Sequence, residues 1–485
     1  MAIYILNMDV VSPDELWRPL LVSIFVAIAL LIVLSALFRS LTKGALAVTV
    51  VVALFFTFSK VAGLIDPSVT LWLDVLAAIA FIVWVWRTKR NLDVATRLLN
   101  FFSVVVLGLS LIQLFSHSGS RLDKPFLVAP VRTVATSASV KVKPDIFFVI
   151  LDGYGRADQL KRVMGVDNTP FIGDLEKRGF YVAARSHSTY CQTQLSLAST
   201  LNLCHIQDYE KSFPAKSGNR ANLTVGADQS YVAEYLRTLG YRYLAVTTGF
   251  DSVKFDSADL VYKEPTTYTM LESAIVAHTP IPNVATPITS LFEERRHMLR
   301  AGFSNLSRLT VPTSTPRFVI AHLMIPHPPF VFDRDGKPIT QKPVFGYWDG
   351  SHYMSTIGGP DLYRAGYSGQ VQYANKLLIA FVEEIERKNP NAVVILEGDH
   401  GSKLGLDQES LGKTDLNECF SNLIAIRSPE SVSKRLYPTM TSVNTFRLVF
   451  NGLFGENIPA MPDNSYYSPF SKPYQFTEVT DRLQR

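Results

Sequence analysis

Residues 393–401 read Val-Val-Ile-Leu-Glu-Gly-Asp-His-Gly: an apolar run ends in a carboxylate and an imidazole side by side, flanked by glycines. A short apolar run closed by turn residues reads as a buried strand. Ligands of open α/β sheets lie just beyond the carboxyl ends of strands. Asp399 and His400 can there supply an oxygen and a nitrogen to one divalent metal. Residues 144–153 repeat the design, with Asp152 and Gly153 closing the run Ile146–Leu151. Two strands delivering acidic ligands to one edge make a metal site the leading expectation.

Residues 190–202 carry Thr193, Ser196 and Ser199 at intervals of three along an expected helix. Thr193 stands at its start, where threonine caps well, and the two serines can line a tight helix interface. The alternative is a nucleophile: unpaired amides at a helix start favour an anion, and metal coordination activates a hydroxyl. His327, set among prolines after another apolar run, is either a turn residue or a donor to a phosphate oxygen or leaving group. His322 lies inside that run and reads as a core histidine. Lys403, just past the metal pair, is the best cationic neighbour for a phosphate. Arg156 can meet a substrate anion, against the plainer reading of an exposed ion pair. Asp349 to His352 reads as a loop with a minor claim on substrate, and Glu294 to His297 as a solvated helix face.

Elements that could position these residues follow from periodicity. Strands are expected at Ile146–Leu151, Tyr243–Thr247, Phe318–Met324, Val393–Leu396 and Leu423–Ile426. Helices are expected at Thr169–Arg178, Thr193–Leu201, Tyr231–Leu239, Gly369–Arg387 and Ser442–Phe454. The alternation predicts an α/β domain at 144–485, a largely parallel sheet flanked by helices. Ser304 to Pro316 and Arg334 to Met354 are expected surface loops.

The rest of the chain is a different material. Of 485 residues 47% are hydrophobic and only 18% charged. The excess lies in four runs, Pro19 to Leu37, Ala45 to Ala62, Leu71 to Trp86 and Leu98 to Phe115. A bilayer core of ~30 Å takes about 20 helical residues, so 1–116 is expected to span a membrane four times, with 117–143 as a linker. Acidic residues before the first run exclude a basic signal-peptide start. Arg39 and Lys43, and Arg87, Lys89, Arg90 and Arg97, put the two intervening loops on the cytoplasmic side. The large domain is then expected to be extracytoplasmic. Cys191, Cys204 and Cys419 show no CxxC pattern and allow one bridge at most. A net charge of +5 gives no support for nucleic-acid binding.

In this order, Asp152, Thr193, His327 and Asp399-His400 resemble the metal and nucleophile positions of the alkaline phosphatase/sulfatase superfamily. The likeness is to its membrane-anchored branch of lipoteichoic acid synthases and phosphoethanolamine transferases. It covers Pro144 to Ser468 and rests on Leu-Asp-Gly-Tyr-Gly-Arg at 151–156, Gln-Thr-x-x-Ser-x-x-Ser at 192–199, Pro-His-Pro-Pro-Phe at 326–330 and the Asp-His-Gly strand end. The chain departs from formylglycine sulfatases, because Cys191 is followed by Gln-Thr-Gln-Leu rather than by x-Pro-x-Arg. It also lacks the Asp-x-x-x-His of two-zinc members, and no histidine follows His400.

The resemblance implies one divalent ion, zinc or manganese ahead of magnesium or calcium. Asp152, Thr193, Asp399 and His400 would hold it, with His327, Lys403 and Arg156 toward substrate. It implies a transferase moving a phospho-alcohol group from a membrane lipid to an envelope glycan or lipid through a phospho-threonine. The alternatives are a phosphate- or sulfate-ester hydrolase on the same site, and a non-catalytic glycan-binding protein on a retired enzyme fold.

Overall fold

The computed structural model describes residues 15–484 apart from 63, 119–142, 210–212, 214, 216, 250–252, 282–286 and 341–344. Nearly all of the expected linker lies outside these residues. The chain divides into two compact units. One comprises Met1–Arg121 with Thr266–Phe292 and Pro343–Gly346; the other holds the rest. Two stretches expected in the α/β domain therefore group with the N-terminal helices.

The N-terminal unit contains α1 (Trp17–Phe38), α2 (Leu41–Ala62), α3 (Pro67–Arg87) and α4 (Asp93–Ser118). All four are long and apolar enough to cross a membrane. Large apolar side chains such as Phe25, Ile32 and Phe101 are exposed along them, as a hydrocarbon solvent permits. Periodicity gave α3 its shortest run. Its helix gains a turn because Asp66 accepts from Ser68 N at 2.8 Å and Val69 N at 3.2 Å, with Pro67 in the first turn. At one end of the bundle Lys43 Nζ donates to Trp86 O (3.2 Å) and Thr88 O (2.8 Å), joining the two basic loops. At the other end the Arg18 guanidinium pairs with Glu272. Glu272 sits in the first turn of the helix Met270–Ala277, where it completes a capping box with Thr269.

The larger unit is built on seven strands: β1 (Ile146–Leu151), β2 (Phe180–Val182), β3 (Arg242–Thr247), β4 (Leu260–Lys263), β5 (Arg317–Leu323), β6 (Val393–Gly398) and β7 (Ile424–Arg427). Their order is β2-β7-β6-β1-β5-β3-β4. β1 pairs in parallel with β5 and β6, and β3 in parallel with β5 and β4; the pairs β6–β7 and β2–β7 are antiparallel. Every residue of β1, β5 and β6 is buried, as expected where helices cover both faces of a parallel sheet. Successive side chains of β1 point to opposite faces. Phe147 meets Phe381 on the helix Pro360–Lys388, and Phe148 meets Phe446 on the helix Thr445–Phe454. β1, β5 and β6 end side by side, and that shared edge positions the site.

Three expectations need correction. Ser304 to Arg308 is not loop but the end of a helix, Pro287–Arg308, because Phe303, Leu306 and Leu309 bury on one side of a serine-rich stretch. Within Arg334 to Met354, Asp349 caps a helix, Gly350–Thr356. The Glu294 to His297 stretch is not a solvated face either. Arg295 and Arg296 are buried, the first donating to Thr248 O and Met324 O, the second to Val331 O and Ile339 O. A guanidinium can satisfy several carbonyls at once, and both side chains tie loops together below the sheet edge.

Candidate active site

Asp152 follows the last residue of β1, and Asp399 and His400 follow β6. The parallel register that sets Leu151 beside Gly398 makes the three neighbours. The glycines keep the loops close. Gly153 has φ +73°, the left-handed region that glycine enters freely. A Cβ on Gly398 would overlap the Tyr154 carbonyl oxygen, and one on Gly401 that of Glu418. Thr193 is the first residue of the helix Thr193–Asn202; Gln192 before it is extended and makes no side-chain cap.

His400 Nε2 lies 3.1 Å from Asp399 Oδ2, 3.6 Å from Asp152 Oδ1 and 3.1 Å from Thr193 Oγ1. Thr193 Oγ1 is 3.4 Å from Asp152 Oδ2. His400 Nδ1 sits 2.8 Å from Gly401 O, so it carries the ring proton and leaves the Nε2 lone pair facing the acids. One ligand atom each from Asp152, Asp399 and His400 falls within 4.8 Å of the others, and all three residues are buried. Asp152 Oδ1 and Asp399 Oδ2 have no hydrogen-bond partner among the described residues. Buried carboxylate oxygens without a donor are costly. Two of them converging with an imidazole lone pair fit a divalent cation. Burial opposes ionisation of Asp152, but His327 and the hydrogen bond from His322 hold its carboxyl well below its usual range.

His327 reaches the same edge from the loop after β5. Its backbone N–H donates to Asp152 O at 3.1 Å, and its Nδ1 lies 2.6 Å from Pro328 O. The loop is braced by Gln370, which donates to His327 O at 3.1 Å and accepts from Val331 N at 2.9 Å. His327 Nε2 faces Asp349 Oδ2 at 3.5 Å, and Lys403 Nζ lies 3.9 Å from the same oxygen. Tyr363 donates its hydroxyl to Asp349 Oδ1 at 2.8 Å. Its phenol is pushed well above its ordinary range by burial and then by the Asp349 charge.

Two residues given little weight from sequence belong to this assembly. His322, read as a core histidine, stands with Nε2 3.1 Å from Asp152 Oδ2 and can orient that carboxylate. The signal available was its place on the strand beside the one ending in Asp152. Asp349 anchors both His327 and Lys403; nothing in its local sequence could show this, because its partners are 22 and 54 residues away (349 − 327 and 403 − 349). Arg156, expected toward substrate or in an exposed ion pair, makes the ion pair, with Asp158, but from a buried position. It is buried and its guanidinium is committed to Asp158 and the Ser186 carbonyl. Ser196 and Ser199 line an interface, donating to Asp399 O and Cys204 O. Cys191, Cys204 and Cys419 are free and buried, and burial pushes the Cys191 thiol up to about 11.

The sulfatase family model matches residues 144–445, which run from the start of β1 past the loops that carry Asp152, Asp399 and His400. Among solved structures, the chain is similar to the zinc complex of the C-terminal periplasmic domain of EcEptC from Escherichia coli. Identity there is 12% and the TM-score 0.46, over 74% of this chain and 97% of that one. The lipooligosaccharide phosphoethanolamine transferase A of Neisseria meningitidis aligns at 12% identity and TM-score 0.44, over 81% and 70% of the two chains. The phosphonate monoester hydrolase of Agrobacterium radiobacter aligns at 14% and 0.45, over 67% and 80%. Among curated proteins none matches. Since the family model takes in more than half of the chain, including every strand of the sheet that carries the site, the protein belongs to the sulfatase family and is a sulfatase-like enzyme with membrane-spanning helices.

Proposed function

We propose that this protein is a membrane-anchored transferase that moves a phospho-alcohol group from a lipid donor to an envelope glycan or lipid. The observation that carries the reading is the Thr193 hydroxyl at a helix start, 3.1 Å from His400 Nε2 and 3.4 Å from Asp152 Oδ2. Asp152, Asp399 and His400 would hold one divalent ion, and their mixed oxygen and nitrogen set suits zinc or manganese. Such an ion lowers the pKa of a neighbouring hydroxyl and neutralises charge on a phosphoryl oxygen. Thr193 Oγ1 attacks phosphorus in line, its bond to phosphorus forming as the bond to the lipid alcohol breaks. The Thr193 proton passes to solvent as the hydroxyl ionises, and the departing alkoxide takes one from His327 Nε2, which requires a ring protonated on both nitrogens because Nδ1 donates to Pro328 O. An acceptor hydroxyl then attacks the phospho-threonine, gives up its own proton and restores Thr193. Lys403 and His327, sharing Asp349, face the transferred group.

The extracytoplasmic placement has its own support. The amino end of α1 is tied to the helix Met270–Ala277 through Arg18 and Glu272, while the basic loops meet at the opposite end. Incubating the full-length protein in vesicles with labelled phospholipid is expected to leave label on Thr193, to be chased onto an added glycan or lipid acceptor. Thr193→Ala is expected to carry no label. Label released to water alone, with or without acceptor, means hydrolysis and overturns transfer; an adduct that survives in Thr193→Ala removes Thr193 from its role.

A further inference from the structure

Within the N-terminal unit, α1, α2 and the segment 268–281 enclose a cavity of ≈ 600 Å³. Val22, Val26 and Leu30 recur every four residues along α1 and so share one face. Val52 and Phe55 on α2 oppose them, and Ile275 closes one side from outside the spans. The volume lies within the ~300–1,000 Å³ of pockets that bury an organic ligand. Water finds no partners on such a wall, and the helices that form it are built to lie in hydrocarbon. At the water-facing end of α1 the wall turns polar, with Arg18 and Glu272 on the rim. Arg18 keeps 46% of its side chain exposed while its guanidinium donates to both Glu272 carboxylate oxygens and to Thr267 O, so the rim is a polar ion pair at the level of a lipid headgroup.

We propose that this cavity is a specific phospholipid site: one acyl chain of a bilayer phospholipid fills it, with the headgroup at the Arg18–Glu272 rim. Lipid on the open faces of the spans touches one or two helices. A chain in the cavity is enclosed from three sides, including Ile275, which belongs to no span. The proposal depends on α1 and α2 lying in a membrane and not on transfer chemistry.

The test uses the full-length protein reconstituted in phosphatidylethanolamine and phosphatidylglycerol vesicles, extracted into detergent and weighed by native mass spectrometry. One phospholipid is expected to remain bound through detergent exchange, in the wild type and in Thr193→Ala alike. Val26→Trp, which fills the cavity, is expected to lose it. Ile28→Trp, on a side of α1 where the native side chain is exposed, is expected to keep it. A phospholipid retained by Val26→Trp, or lost equally from Ile28→Trp, overturns the proposal. A second measurement needs no variant. A phospholipid with a diazirine on its acyl chain is expected to cross-link the peptide containing Ile275 as well as α1 and α2, and labelling confined to the spans overturns the site.

Discussion

Asp349 holds the half of the site proposed to face substrate, because one carboxylate serves His327, Lys403 and Tyr363 at once. Asp349→Asn keeps a side chain able to accept from Tyr363 and removes the charge. It is expected to lower kcat/KM by about 10²-fold, in the range of a positioned acid–base group, while metal content by elemental analysis stays at the wild-type value. His322 acts on the other half. His322→Ala leaves Asp152 Oδ2 without its 3.1 Å partner, and is expected to weaken metal retention by ~10–100-fold against a competing chelator, the usual cost of losing such an orienting contact. A retained affinity would return His322 to the core role read from sequence. The four residues Asp152, Thr193, Asp399 and His400 could be picked out because each marks the end of a strand or the start of a helix. Asp349 and His322 could not be weighed that way, since their worth lies in partners supplied by other elements.

The elements themselves follow from local pattern wherever burial is continuous. β1 matches its apolar run to the residue, and β3, β5, β6 and β7 differ by one or two at their ends, where fraying and capping decide. The helix Pro360–Lys388 begins nine residues before the expected start at Gly369, after Gly359 and with Pro360 in its first turn. Close approach of loops is a separate matter. Gly401→Ala drives a methyl into the Glu418 carbonyl, and is expected to cost more than about 3 kcal/mol, among the larger single-residue losses. Gly173→Ala, in the helix Thr169–Lys177 with no neighbour within 4 Å of the added carbon, is expected to gain up to ~1 kcal/mol by helix propensity. Thermal unfolding of both variants checks the pair; equal small effects would mean the loop after β6 is looser than its packing.

The molecule as a whole joins a bilayer solvent to an aqueous one, and its native cysteines are buried. Cysteines placed at the exposed Lys89 and Lys434 are therefore expected to react with an impermeant maleimide from opposite faces of the membrane, and labelling from one face would overturn the four-span arrangement. Glu397, on β6, is pushed up to about 8 by burial, which outweighs its bonds from Thr445 and Ser442. Between about pH 4.5 and 8 the native state keeps a proton that the unfolded chain releases, so stability falls as pH rises through that window. Glu397→Gln is expected to flatten this loss, on the order of 1–4 kcal/mol, measured as unfolding midpoints at about pH 5.5 and 8.5, either side of most of that range. Amino-acid order alone determined the spans, five of the seven strands, and which acids, imidazole and hydroxyl could do chemistry, because hydropathy period and turn residues are local properties; the short, less buried β2 and β4 carry no such pattern. Tertiary structure alone decided that Arg156 is spent on internal bonds, that Arg295 is buried, and that Asp349 and His322 serve the site. Apart from the Arg156–Asp158 pair, two residues apart, each of those outcomes is a contact between segments distant along the chain, settled by which loops the parallel sheet brings to one edge.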